Sequence, residues 1–194
     1  MKPRPFPHSA RHAALAGLVG LLGVTFATTA HANPDGYGLG DGHAGAFTAS
    51  SASQVINTYT SITAMASPGA TSVTVAATTG LAVGDLVLVW QTQGGAFTSG
   101  AAGPFALGGD TVGNYELDRI TAITGTTLTL ETPLTGTYAS SGAQVIRVPE
   151  YTTVSVPTGM GLTAPAWNGT TGGLVAFLAS GGVTLAGAVR ADGL

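Results

Sequence analysis

The alternation of apolar and polar positions is sharpest between Leu86 and Gln91 (LVLVWQ). An extended chain puts Leu86, Leu88 and Trp90 on one side and Val87, Val89 and Gln91 on the other. Both sides are largely apolar, which predicts a central strand covered on two faces. Around it the same period-two signal recurs. Thr71 to Ala76 sets Val73 and Val75 against Ser72 and Thr74, and Gln54 to Ile62 alternates as a first strand. Tyr115 to Thr124 runs through the tight turn Thr124-Gly125-Thr126 into Thr127 to Glu131, a hairpin that Pro133 ends. Ala143 to Val148 (AQVIRV) supplies a closing strand before Pro149-Glu150-Tyr151. Turns fall at Ser67-Pro68-Gly69 and at Gly84-Asp85. Residues 54–150 therefore read as one compact β-sandwich or barrel-like unit.

A loop from Gly94 to Gly113 interrupts the unit with seven glycines and Pro104 in twenty residues. Loops of that length are commonly binding elements or flexible insertions. Its aromatic residues Phe97 and Phe105 are candidate ligand contacts.

From Tyr151 onward the rhythm changes. Short apolar groups, Val154/Val156, Leu162, Val175/Phe177, Val183/Leu185 and Val189, recur between glycine-rich corners. Repeats too small to bury their own faces mark a solenoid, here the start of a right-handed β-solenoid over residues 151–194. A solenoid wants at least three rungs and a cap, so the pattern predicts further rungs after Leu194. The fold class expected is all-β throughout.

The N-terminal end is of another kind. Lys2, Arg4 and Arg11 precede an apolar run from Ala13 to Thr29, followed by Ala30-His31-Ala32. That is the layout of a cleaved signal peptide over residues 1–32. The run is shorter than the roughly 20 residues a bilayer span requires. Export is expected, to the outer cell surface, the medium or the periplasm, with no membrane span left after cleavage. Residues 33–53 then form a glycine-rich leader without periodicity.

Composition narrows the class. The 194 residues are 44% hydrophobic and 8% charged, with 30 Gly, 29 Thr and no Cys. This suits an extracellular all-β protein, and it excludes a disulfide framework and thiolate chemistry. After residue 32 the chain holds nine acids against Arg119, Arg147 and Arg190 and no Lys, a net charge of −6. Such a surface offers nothing to a phosphate backbone, so no nucleic-acid partner is expected.

The candidate chemistry is sparse. Asp35 and Asp41 sit among glycines as in calcium loops, but neither the late Glu nor the nonapeptide repeat of such loops is present. His43, the one histidine after residue 32, lacks sequence neighbours that would complete a zinc site. Glu116 and Asp118 share one face of their strand, at a spacing compatible with a glycosidase pair, though same-face carboxylates on an exposed strand are ordinarily solvated. No catalytic, cofactor-binding or metal residue is assigned, and a non-catalytic protein is expected. Trp167 and Tyr151 join Phe97 and Phe105 as possible ligand contacts.

Several stretches together carry a resemblance: VGDLVLVWQTQG, YELDRITAITGTTLTLETPL, and the run from Ala143 (AQVIRVPEYTTVSV) to ADGL at the end, with GLGDGHAG in the leader. Gly84-Asp85, Trp90-Gln91, Tyr115-Glu116-Leu117, Gln144-Val145, Val148-Pro149-Glu150-Tyr151, Trp167 with Gly169, and Gly172-Gly173 occur in order. In these the chain resembles the N-terminal region of large myxobacterial surface proteins of the adventurous-gliding-motility type. The resemblance implies an exported structural or adhesion module serving surface motility or attachment, continued by glycine-rich β-solenoid. It supplies no catalytic residue. Surface polysaccharide or other cell-envelope proteins are the expected partners. The alternative is a polysaccharide-binding or polysaccharide-degrading β-helix protein, for which exposed aromatics along a groove would speak.

Overall fold

The computed structural model describes residues 37–94 and 111–192, which form strands and turns and no helix. Residues 1–32, expected to be a signal peptide, and Asp35, Phe97 and Phe105 lie outside the described residues. Two all-β bodies share the chain.

The first is a barrel. Its strands are β2 (Tyr59–Ser61), β3 (Ser72–Thr74), β4 (Leu86–Gln91), β5 (Tyr115–Thr124), β6 (Thr127–Leu130) and β7 (Ala143–Val148). They pair antiparallel in the order β2-β7-β4-β5-β6-β3. Ile62 then bridges Val75, Thr63 N–H donates to Thr74 C=O, and Ala76 N–H donates to Ser61 C=O. The two ends of the sheet thereby meet, and among the described residues the barrel leaves no free edge to aggregate. Alternation fills it: Ile62, Val73, Val75, Val87, Val89, Ile120, Leu128 and Leu130 are buried inside with Leu134 and Tyr138. β4 is central, between β5 and β7, as its sequence predicts. Its two faces differ, however. Val87 and Val89 are fully buried in the barrel; on the outer wall Leu86 is fully buried as expected, whereas Leu88 and Trp90 are only half-buried.

The second body is a stack of parallel ladders. β8 (Glu150–Tyr151), β9 (Thr153–Val156) and β10 (Gly161–Thr163) make one rung, and β11 (Leu178–Ala179), β12 (Val183–Leu185) and β13 (Ala188–Arg190) the next. Pairing of Glu150 with Leu178, Val154 with Val183 and Leu162 with Val189 gives steps of 28, 29 and 27 residues. An earlier rung precedes both. β1 (Ala46–Thr48) pairs in parallel with Thr153–Ser155, Gln54 bridges Leu162, and Ala44 N–H donates to Glu150 C=O. The glycine-rich stretch expected to lack periodicity thus contains a strand. Gln54, expected in the first barrel strand, bridges to the stack. The barrel leaves the stack after the first rung and returns to it at β8.

Stacking is tight where the rungs turn. A Cβ on Gly187 would collide with the carbonyl oxygens of Met160 and Pro157 on the rung below. Gly187→Ala is expected to cost about 1–3 kcal/mol, through displaced backbone rather than lost contacts. A lowered urea midpoint at unchanged m-value would show it.

Candidate functional site at the barrel–stack joint

The joint is held first by backbone mimicry. Gln144 Oε1 accepts from Gly172 N–H at 3.0 Å while its Nε2 donates to Gly172 C=O at 3.1 Å. Tyr59 O–H donates to Leu174 C=O at 2.5 Å. Asn57 repeats the two-way amide bond on Ala176, Nδ2 donating at 2.6 Å and Oδ1 accepting at 3.1 Å. Residues 172, 174 and 176 are thus tied at every second position, as a strand would be. Side-chain amides stand in for the missing ladder.

Burial pushes the Tyr59 phenol up to about 12, and it raises Tyr37, Tyr138 and Tyr151 as well. A folded-state value above the unfolded one, about 10, gives stability that is whole below that pH and lost as pH climbs through the folded value. Thermal stability should therefore fall steeply between about pH 10 and pH 12, the interval set by those two values. Tyr59→Phe should shift part of that loss out of the titration. An unfolding temperature that stays flat across the interval would contradict the burial of these phenols.

The second fastening is charged. Arg119, on the outer face of β5, donates from Nη1 to Glu150 Oε2 at 2.8 Å and from Nη2 to Oε1 at 3.0 Å. Nη1 also donates to Gly84 C=O at 2.6 Å and lies 3.5 Å from Asp41 Oδ2. The bidentate geometry suits a planar guanidinium on a carboxylate. The hydrogen bond to Glu150 is the chief reason the Arg119 pKa is raised. Glu150 is wholly buried at the start of β8, and Asp41 N–H donates to its Oε1 at 3.1 Å. His43 Nδ1 lies 2.6 Å from Asp41 Oδ1 and 3.4 Å from Glu150 Oε2, and its Nε2 is 3.9 Å from Asp85 Oδ1. Arg147 Nε donates to Asp85 Oδ1 at 2.8 Å. The backbone N–H of His43, followed by its side chain, holds the Asp41 carboxyl below its ordinary value. A cleft of about 470 Å³, walled on one side by Ala82 and Val83, opens over Asp41, His43, Asp85, Arg119 and Arg147. Three carboxylates and two guanidinia leave a formal charge of −1 before His43 is counted.

His43 therefore has the neighbours its sequence context lacks. Asp41, His43 and Glu150 offer ligand atoms within 4.8 Å of one another, two carboxylates and an imidazole. Such a set suits a first-row transition metal better than calcium. Arg119 already binds Glu150 on the same oxygen, so an ion would have to displace a guanidinium.

The strand carboxylates differ from expectation. Glu116 and Asp118 are buried, at 4% and 1% exposure, because the β5 face they share is the inner one. The turn after β6 folds over them. Glu116 accepts from Thr135 N–H, Gly136 N–H and Tyr138 O–H, each at 2.8 Å. Asp118 accepts from Thr132 Oγ1 at 2.8 Å, from the N–H groups of Arg119, Glu131 and Thr132, and from Tyr37 O–H. Burial still raises the Asp118 pKa. These acids close the barrel mouth.

Of the suggested ligand contacts, Tyr151 faces the stack interior. Its ring lies 4.9 Å from Phe47 and 6.3 Å from Phe177, one aromatic per rung. Trp167 is half-buried on the connection to β11, beside a turn that Asn168 Oδ1 caps by accepting from Thr170 and Thr171 N–H. The two do not form an exposed platform. An apolar cleft of about 350 Å³ lies instead between Leu88, Tyr115 and Leu117 of the barrel wall and Val175, Phe177 and Leu178.

No family model matches the chain, and no curated protein matches it. Three solved structures are similar in part. The tailspike of Acinetobacter baumannii bacteriophage AP22, in complex with A. baumannii capsular saccharide, is 13% identical over 69% of this chain and 21% of its own, at a TM-score of 0.39. The Pseudomonas phage phi297 tailspike is 19% identical over 77% of this chain and 22% of its own, at 0.37. The tailspike of Pseudomonas phage LKA1 is 12% identical over 60% and 23%, at 0.33. The chain thus spans about a fifth of the length of each. The fold described above rests on the chain's own ladders. Among the described residues no helix is long and apolar enough to cross a membrane.

Proposed function

We propose that the chain is an exported, non-catalytic structural and adhesion module of the cell surface, serving motility or attachment. The observation that supports this reading most is the use made of its charges. Arg119 binds a buried carboxylate of the stack from the barrel, and Asn57, Tyr59 and Gln144 fasten the next rung to the same barrel. Polar groups spent on joining two bodies make a stiff mount. A stiff mount is what a surface protein under shear requires. The expected result is that the purified chain releases no reducing ends from neutral or acidic polysaccharides, while cells lacking it attach less firmly to a surface. Turnover of any polysaccharide would overturn the reading.

The open cleft, with charged groups beside apolar Ala82 and Val83, favours a second reading, polysaccharide binding. Carboxylates and a guanidinium facing one space can bond the hydroxyls of a sugar from both sides. Binding on a glycan array that is lost in Arg147→Met would support it; an array without signal would set it aside.

A further inference from the structure

The carboxylates at the joint cleft are largely taken up by the protein itself. Glu150 Oε1 accepts from Asp41 N–H and Arg119 Nη2, and its Oε2 accepts from Arg119 Nη1. Asp85 Oδ1 accepts from Arg147 Nε, and its Oδ2 accepts from Ala82 N–H at 2.7 Å. Asp41 Oδ1 takes the backbone N–H and the ring of His43. Asp41 Oδ2, 3.5 Å from Arg119, is the carboxylate oxygen left without a hydrogen bond from the described residues.

The donors differ. Arg147 commits only Nε, to Asp85, and its Nη1 and Nη2 make no hydrogen bond among the described residues. Its backbone is fixed on both sides. The N–H donates to Thr58 C=O at 2.8 Å, and the C=O accepts from Asn57 Nδ2 at 2.9 Å. The side chain is 26% exposed and lines the cleft. A planar pair of donors held this way matches the two oxygens of a carboxylate.

His43 reaches the same place. Its Nε2 lies 3.9 Å from the Asp85 oxygen that Arg147 binds. A carboxylate only accepts, so Nδ1 carries the proton of the bond to Asp41 and Nε2 is left over. A sugar hydroxyl suits Nε2 in either state, donating to the neutral ring or accepting from the charged one. Ala82 and the exposed Val83 supply an apolar wall for the C–H face of a sugar ring. The volume, about 470 Å³, lies within the range of about 300–1,000 Å³ usual for small-ligand sites.

We propose that the cleft binds an acidic saccharide, a uronate unit whose carboxylate bridges Nη1 and Nη2 of Arg147. A hydroxyl of the same sugar bonds His43 Nε2, and the ring lies against Ala82 and Val83. This rests on the polysaccharide-binding reading above and names its ligand class. The net charge of −6 after residue 32 does not forbid it. Charges more than about 8 Å away are screened at physiological salt. Within the cleft Asp41, Asp85 and Glu150 each lie within 3.5 Å of a guanidinium.

The test titrates the chain calorimetrically with galacturonate and glucuronate trisaccharides, their methyl esters and the corresponding neutral trisaccharides. Esterification removes the charge and leaves the sugar otherwise unaltered. The acids should bind about tenfold more tightly than the esters, or better. Arg147→Lys keeps a cation beside Asp85 but loses the fork, and should weaken acid binding about tenfold. His43→Ala, at a partly exposed residue, is the second variant and should weaken it severalfold. Circular dichroism checks that both variants are folded. Equal affinity for acid and ester overturns the proposal while polysaccharide binding stands; no binding of any saccharide removes both. Displacement of the acids by equimolar acetate would reduce the site to one for a free anion and would also overturn it. So would acid binding at full strength in folded Arg147→Lys.

Discussion

Arg119→Met is expected to destabilise the protein by about 3–5 kcal/mol, a large part of the roughly 5–15 that hold a typical domain. The reason is the partner left behind. Glu150 is wholly buried, and Arg119 supplies two of its hydrogen bonds; Asp41 N–H and, at 3.4 Å, the partly exposed His43 ring would be left beside it. A buried carboxylate without its cation costs far more than the pair contributes when intact. The double variant Arg119→Met with Glu150→Met should therefore recover most of the loss, since it removes the charge as well as its partner. Denaturant unfolding of both single variants and the double variant measures the coupling. Additive losses would mean that Arg119 acts through Gly84 and Asp41, and not through Glu150.

The barrel strands were legible because each carries its own signal. Leu86 to Gln91, Tyr115 to Thr124 and Ala143 to Val148 show period-two alternation between glycine turns, and β4, β5 and β7 have those bounds. Alternation assigns side chains to faces but does not say which face is inside. That is why Glu116 and Asp118 read as solvated: their donors, Thr132, Thr135, Gly136 and Tyr138, lie in a turn whose closure over the barrel leaves no local pattern. Ala46–Thr48 was illegible for a related reason. Its partner is Thr153–Ser155, beyond the whole barrel, and parallel pairing has no hairpin to announce it. His43 could not be weighed without Glu150 and Asp85, which the same long closure brings to it. Two-way amide bonds such as Asn57 to Ala176 leave no trace in spacing. Asn57, two residues ahead of β2, and Gln144, the second residue of β7, are amides beside barrel strands, and that position is the one signal that would have hinted at them.

The two sides of β4 should respond very differently to a charge. Val87→Asp would place a carboxylate at a fully buried position inside the barrel, among Val89, Val145 and Ile120. The donors of the 132–138 turn are already taken by the inner acids Glu116 and Asp118. Burial of an unpaired charge costs several kcal/mol, enough to unfold a domain of ordinary stability at room temperature. Leu88→Asp sits one residue on and points to the outer wall, where Leu88 is half-buried at the mouth of the apolar cleft. Its carboxylate can stay in water, so the loss should be limited to buried methylenes, about 1–2 kcal/mol. Circular dichroism should find Val87→Asp unfolded in buffer and Leu88→Asp folded with a modestly lowered urea midpoint. Equal losses at the two positions would show that the outer wall is as dry as the barrel interior, and the cleft over Leu88 would then be closed. A Val87→Asp protein that melts like the original would remove the barrel core from where Ile62, Val87 and Leu128 place it.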